Sequence, residues 1–90
     1  MTTDPIVIVG MSRTPMGAFQ GDCAAIQAPE LGAVAIKGAI DEAKINPKNI
    51  EEIFMGCVLT AGIGQAPARQ ASIGAGIPFS TSCTTVNKMC

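Results

Sequence analysis

The sequence predicts an α/β fold in the order strand, helix, strand, helix, strand. Three observations favour it: apolar or β-branched runs of strand length, longer stretches with helix signals between them, and turns rich in glycine or proline at the junctions. Strands in this order are usually parallel and joined by right-handed crossovers, so we expect a three-layered parallel βαβαβ unit. At 90 residues the chain forms at most one small domain.

The run "PIVIVG", residues 5–10, predicts the first strand. Its β-branched residues follow one another without a polar interruption, which is typical of a strand buried on both faces of a sheet. We therefore expect a central parallel strand. The next segment, "MSRTPMGAFQGD", contains Pro15, Gly17 and Gly21 and predicts an ordered loop.

Residues 29–45, "PELGAVAIKGAIDEAKI", predict the first helix. Its first turn tolerates the proline at its start, and the Asn-Pro pair after it marks the end. The charged side chains share one narrow stripe, and small or apolar residues occupy the remaining surface. We expect a mostly buried helix whose charged stripe is a solvated edge. The stripe consists of Glu30, Lys37, Asp41 and Lys44.

The second half of the chain predicts a strand, a helix and a strand. Residues 53–59, "IFMGCVL", form an apolar run of strand length, in which Cys57 is expected to be a core residue. The loop "TAGIGQ" matches no phosphate-binding motif, so its predicted role is to turn the backbone. Residues 66–76 predict a short helix with proline near its start and glycine near its end. Residues 79–87, "FSTSCTTVN", predict the third strand.

The composition disfavours several functions. Charged residues make up 14% of the chain and hydrophobic residues 48%, whereas soluble domains average roughly 25% charged residues, so we expect surface that is buried against further protein. A net charge of -1 with scattered basic residues argues against nucleic-acid binding. No apolar run approaches the ~18 residues of a membrane span. The N-terminus lacks the basic region of a targeting peptide, which predicts a cytoplasmic protein.

The chain has four cysteines and no histidine. Because Cys23, Cys57, Cys83 and Cys90 contain no CxxC pair, we expect no metal site, and cytoplasmic thiols stay reduced. Cys90 differs from the others because it follows the carboxyl end of a predicted strand. At that edge of an open α/β sheet ligands bind and the next helix begins.

A thiol at the start of a helix is a candidate nucleophile. The positive end of the helix dipole stabilises the thiolate, and the free N–H groups there can bind the oxyanion formed when the thiolate attacks a carbonyl. Cys90 is therefore a candidate for acyl transfer, with an inert buried cysteine as the alternative. Any catalytic base must come from outside the chain, because histidine is absent.

Four segments resemble the N-terminal part of the thiolase family of acetyl-CoA acetyltransferases: "RTPMGAFQG", "MGCVLTAGIGQAPARQ", "AGIP" and "CTTVNKMC". The last is the most specific, and Cys90 matches the acyl-accepting cysteine of the family. The resemblance implies that residues 1–90 are an incomplete N-terminal domain of a longer, layered αβαβα fold. It also implies CoA and acyl-CoA as substrates, no resident cofactor, and a homodimer or homotetramer. Ser82 stands where many relatives have proline, and we expect only a local change in the strand.

The resemblance implies condensation of two acetyl-CoA molecules to acetoacetyl-CoA and CoA, or the reverse thiolysis, through an acyl-cysteine. The alternatives are a longer-chain 3-ketoacyl-CoA thiolase of fatty-acid degradation, a non-catalytic lipid or acyl-CoA carrier on the same fold, and a redox protein that uses Cys83 and Cys90. The family's other catalytic groups lie later in its sequence, so the 90 residues alone should be inactive. Their end at Cys90 suggests truncation or, as we favour, a modification of Cys90 or its neighbour that interrupts a longer polypeptide; an intact mass near 9.2 kDa would reject the latter.

Overall fold

Two helices and two strands alternate in the computed structural model of the chain, which describes residues 3–88. The elements are α1 (Ala28–Ala43), a 3-10 turn (Pro47–Asn49), β1 (Glu52–Gly56), α2 (Pro67–Gly74) and β2 (Ser82–Val86). The strands pair in parallel, and α2 is the crossover between them. The predicted α/β class is confirmed, and every predicted element except the first is present.

Helix α1 ends at a local backbone signal. Lys44 at its C-cap adopts a left-handed conformation with φ of 57°. The Lys44 N–H then donates to the carbonyl oxygens of Ile40 at 2.9 Å and Asp41 at 3.3 Å, which closes the helix before the predicted end at residue 45. The Asn46 side chain accepts a hydrogen bond of 2.9 Å from the Lys48 N–H and starts the 3-10 turn.

Helix α1 is less buried than its sequence predicts. Only Pro29, Gly32 and Ile40 are buried, whereas Val34 is 62% exposed. The reason is that α1 packs mainly along one side, against α2 and the sheet. The prediction of a solvated edge is confirmed, because all four residues of the charged stripe are exposed.

Strand β1 stops earlier than predicted. Its ladder ends at the pair Gly56↔Val86, and Cys57 lies just beyond the strand. The prediction that Cys57 is a core residue is wrong, since its side chain is half-buried. The Cys57 N–H donates to the Val86 carbonyl at 2.9 Å. That bond holds the ends of the two strands together.

Strand β2 starts later than predicted. Residues 79–81 form a turn in which the Thr81 N–H donates to the Pro78 carbonyl at 3.1 Å. The strand that follows is paired along its whole length, from Ser82 opposite Glu52 to Val86 opposite Gly56. Serine at position 82, where the family resemblance leads one to expect proline, therefore leaves the regular pairing of the strand intact.

Both helices pack on one face of the sheet. The buried cluster joins Ile40 of α1 and Ile53 of β1 to Ala75 and Ile77, which follow α2. Because side chains alternate along a strand, Phe54 lies on the opposite face, where it is 62% exposed. The prediction of three layers is wrong for residues 3–88: they form two layers, because both helices lie on the same side of the strands.

The predicted central strand at residues 5–10 is also wrong. This segment pairs with neither β1 nor β2, and Ile6 and Ile8 are 103% and 84% exposed. β-branched residues favour strand conformation, but a strand requires a neighbour that completes its hydrogen-bonded ladder. Within the described residues no such neighbour lies beside this segment.

The end of that segment is nevertheless fastened to α1. A Cβ atom on Gly10 would lie 2.6 Å from the Ala39 carbonyl oxygen and 2.9 Å from the Ala43 Cβ, so the backbone approaches the helix more closely than any other residue would allow. The Met11 N–H donates to Oε1 of Glu42 at 3.1 Å. The chain is therefore held to α1 at Gly10 and Met11, while the apolar side chains before them remain exposed.

Candidate active site

The carboxyl edge of the sheet is the candidate active site. Since β1 and β2 are parallel, the residues that follow both strands meet at this edge. Strand β2 ends at Val86, and Asn87 and Lys88 beyond it are exposed. Cys90, the predicted nucleophile, lies outside the described residues, so its role stays a prediction. The described residues form the framework that leads up to it.

One side-chain hydrogen bond joins the end of β2 to the start of α2. The Thr85 Oγ1 accepts a hydrogen bond of 3.0 Å from the Ala68 N–H. The first N–H groups of a helix have no carbonyl partner within it, and here Ala68 is only 1% exposed, so water cannot readily supply one. We call this bond the Thr85 tether. It fixes the strand end against the first turn of α2.

A second set of bonds anchors the other end of β2. The Thr81 hydroxyl donates to the Ile50 carbonyl at 2.9 Å, and Thr81 is 4% exposed. The Arg69 Nη1 of α2 donates to the Phe79 carbonyl at 2.7 Å. Side chains therefore fasten β2 to its surroundings both where it enters the sheet and where it leaves.

The loop between β1 and α2 is held by a single glutamine. Nε2 of Gln70 donates to the Ile63 carbonyl at 2.8 Å and to the Gln65 carbonyl at 2.7 Å. The loop turns through left-handed backbone at Gly62 and Gly64, with φ of 79° and 83°. These conformations confirm the backbone-turning role predicted for "TAGIGQ", because glycine adopts them without steric cost.

A small cavity lies at the same edge. Its volume is about 30 Å³, and it is lined by Met55, Gly56 and Cys57 of the β1 end and by the prolines that open the helices, Pro29 and Pro67. A space of this size holds about one water molecule. It is therefore part of the packing of the edge and too small to be a substrate pocket.

The described cysteines bind no common partner. Sγ of Cys57 lies 3.8 Å from the Leu59 carbonyl oxygen, and Sγ of Cys83 lies 3.4 Å from that of Thr81. Cys23, Cys57 and Cys83 are free thiols. Between residues 3 and 88, no three His, Cys, Asp or Glu side chains are grouped so as to hold a metal ion. No helix in that range has the length and apolar character to cross a membrane.

The residues that build this edge carry little recognisable signal in the sequence. Thr85 and Gln70 are ordinary polar residues in the sequence, and their partners are known only once the register of the strands and the path of the loop are known. The alternation in "SCTTV" carries a partial signal: Cys83 and Thr85 fall on one face of β2, and Thr84 falls on the other, exposed face.

Comparison with known proteins identifies relatives along nearly the whole chain. The family model of the thiolase N-terminal domain matches residues 6–90. A cytosolic acetyl-CoA acetyltransferase of Gibberella zeae is 51% identical over 86 residues, which are 96% of this chain and 22% of the relative. A mitochondrial acetyl-CoA acetyltransferase of Danio rerio is 54% identical over 85 residues, 94% of this chain and 20% of the relative.

The fold agrees with these sequence matches. The crystal structure of a thiolase from Ascaris suum in complex with coenzyme A matches with a TM-score of 0.84 and 41% sequence identity, over 90% of this chain and 21% of that one. The chain thus spans about a fifth of the length of these relatives. By sequence and by fold, the 90 residues belong to the thiolase family and match its N-terminal domain.

Proposed function

We propose that these residues are the first part of an acetyl-CoA C-acetyltransferase, a thiolase in which Cys90 is the nucleophile. The observation that carries this proposal is the segment "CTTVNKMC", which starts within the parallel strand β2 and has Cys90 closely following the strand. Relatives at about half identity are named acetyl-CoA acetyltransferases, which favours an acetyl group over longer acyl chains.

The proposed reaction has two steps, acyl transfer to Cys90 and condensation with a second acetyl-CoA. The Cys90 thiolate attacks the carbonyl carbon of acetyl-CoA, the C–S bond to CoA breaks, and the CoA thiolate leaves and takes up a proton. A base outside the 90 residues removes an α-proton from a second acetyl-CoA. The resulting enolate attacks the acetyl-cysteine, the Cys90 thiolate leaves, and acetoacetyl-CoA forms. Thiolysis of acetoacetyl-CoA is the reverse sequence.

The role of the described residues in this reaction is to position the segment that carries Cys90. Two parallel strands and the first turn of α2 hold the edge from which the chain proceeds to Cys90, and the first N–H groups of a following helix would supply oxyanion donors. We propose further that the acid and base groups, the third layer and the CoA-binding surface come from the rest of a longer polypeptide, and that residues 1–90 alone are inactive.

The substrates and assembly follow the family. We propose that acetyl-CoA and CoA are the ligands, as supported by the coenzyme A complex of the Ascaris suum thiolase. We also propose a homodimer or homotetramer, to which the low charge content is suited. For the compartment we propose the cytoplasm, as in the cytosolic relative, although a mitochondrial relative is equally similar; cell fractionation with an antibody distinguishes the two.

The proposal is tested by trapping the acyl-enzyme in the full-length protein. After brief exposure to acetyl-CoA, acid quenching and digestion, mass spectrometry should find an acetyl group on the peptide that contains Cys90. Cys90→Ala should lose the adduct and lower turnover by at least about 10³-fold, as expected when a covalent nucleophile is removed. Cys83→Ser is the matched control and should retain both.

The same experiment separates the alternatives. A carrier would bind acyl-CoA without forming the adduct, and its binding would survive Cys90→Ala. A redox protein would be damaged as strongly by Cys83→Ser as by Cys90→Ala. A longer-chain thiolase would form the adduct with acetyl-CoA but would cleave longer 3-ketoacyl-CoA substrates with a higher kcat/KM than acetoacetyl-CoA.

A further inference from the structure

We propose that Thr85 is a positioning residue for acyl transfer: through its bond to Ala68, it sets where the segment that carries Cys90 leaves the sheet. This inference rests on the proposed function, because it assigns a role relative to the proposed nucleophile. Thr85 is not proposed to touch substrate. Its effect is to orient the nucleophile through the backbone between them.

The tether lies one residue before the last main-chain bond of β2. Thr85 is the penultimate residue of the strand, and the Val86 carbonyl accepts the bond from Cys57. Beyond these two bonds, Asn87 and Lys88 are exposed and belong to no strand. The direction in which the chain continues toward Cys90 is therefore set by one main-chain bond and one side-chain bond. Only the second can be removed by changing a side chain without altering the backbone.

Removal of the tether has a specific structural consequence. The Ala68 N–H belongs to the first turn of α2, follows a proline and is buried, so Thr85 supplies a partner that the helix itself cannot. Without the hydroxyl this N–H would be left unsatisfied, and the contact between β2 and α2 would shift to relieve it. A displacement of about 1 Å at a reacting group is enough to lower a rate by about 10²-fold.

Strand β2 offers two matched controls. Thr81 likewise makes a side-chain hydrogen bond to the backbone, here as the donor and just before the start of the strand, so Thr81→Val removes one such bond at the opposite end of β2 from the exit. Thr84 lies beside Thr85 on the exposed face, so Thr84→Val tests for any effect of a β-branched apolar residue near the exit. Neither residue is part of the proposed catalytic machinery.

The experiment compares these variants in the full-length protein. Steady-state thiolysis of acetoacetyl-CoA gives kcat and KM, and the rate of Cys90 alkylation by iodoacetamide is followed by peptide mass spectrometry. Thr85→Val should lower both kcat and the alkylation rate by about tenfold or more, with KM changed less than about twofold. Thr85→Ser keeps the hydroxyl and should restore most of the rate. Thr81→Val should lower the unfolding temperature but leave kcat unchanged. Thr84→Val should leave both the unfolding temperature and kcat unchanged.

Three results would overturn the inference: wild-type kcat in Thr85→Val, an equal loss of kcat in Thr81→Val, or no recovery in Thr85→Ser. If Thr85→Val does not fold, Thr85→Ala takes its place, because the smaller side chain introduces no new contact with the helix. Failure of the proposed function is recognised separately, since Cys90→Ala would then keep its turnover. If Cys90→Ala is inactive and the Thr85 variants are normal, only the positioning role is rejected.

Discussion

Two apolar runs of the same chain have different outcomes. "IFMGCVL" contains β1, whose Ile53 is 8% exposed in the core, whereas "PIVIVG" forms no strand and leaves Ile8 84% exposed. Both runs favour strand conformation locally. The difference is that β1 lies beside β2 and under the helices, while residues 5–10 have no adjacent strand within the described chain. Strand propensity is a property of a segment, whereas a strand is a property of a pair.

The largest expected effect separates these two isoleucines. In the 90-residue chain, Ile53→Ala should lower the free energy of unfolding by about 2–4 kcal/mol, because it removes buried methyl groups from the core cluster. Ile8→Ala should change it by less than about 0.5 kcal/mol, as is usual at an exposed site. Urea unfolding followed by circular dichroism measures both values.

Equal losses at the two positions would contradict the contrast between the runs. The same two substitutions, Ile53→Ala and Ile8→Ala, can then be measured in the full-length protein. If the cost of Ile8→Ala rises there to that of Ile53→Ala, residues 5–10 gain a strand partner from outside the 90 residues. The predicted central strand would then exist in the complete fold and be absent only here.

A smaller effect is expected at Gly10, where the exposed residues 5–9 give way to the backbone that contacts α1. Gly10→Ala should lower the free energy of unfolding by about 1–3 kcal/mol, because its Cβ would collide with the backbone of α1 at Ala39. Gly56→Ala is the control: a Cβ there meets no atom within 4 Å, so this change should bring no loss and should raise the free energy of unfolding by up to about 1 kcal/mol. If Gly10→Ala were neutral, the contact with α1 would not anchor the segment.

The contrast also explains how much of the fold was predictable. Helix α1 was predictable to within a few residues because its signals, a proline at the start and Asn46-Pro47 after the end, act locally. The number of layers was not, because it depends on which face of the strands the helices cover. The Thr85 tether was not predictable for the same reason, because it depends on contacts between residues far apart in sequence. The strand register places Thr85 opposite Met55, and the crossover helix brings the Ala68 N–H close to it.

The glycine loop gives a third test, of order that side chains impose on backbone. Gln70→Met keeps the side-chain volume but loses both hydrogen bonds to the loop carbonyls, at a cost of about 1 kcal/mol or slightly more. Amide hydrogen exchange of residues 61–66 should become faster, while that of β1 stays unchanged. Exchange that is unaltered in the loop would show that the glycines alone define its conformation.

The smallest expected effect is at the C-cap of α1, whose backbone conformation ends the helix but could not be predicted from the sequence. Lys44 holds a left-handed φ of 57°, which strains a side chain but not glycine, so Lys44→Gly should raise the free energy of unfolding by about 0.5–1 kcal/mol. Lys44→Ala has a Cβ and should bring no gain. The thermal unfolding midpoints of the two variants measure the difference. The helix ends at Ala43 and not at the predicted residue 45 because of this backbone turn, for which lysine has no preference. A gain confined to glycine would show that the turn strains the residue that now occupies it.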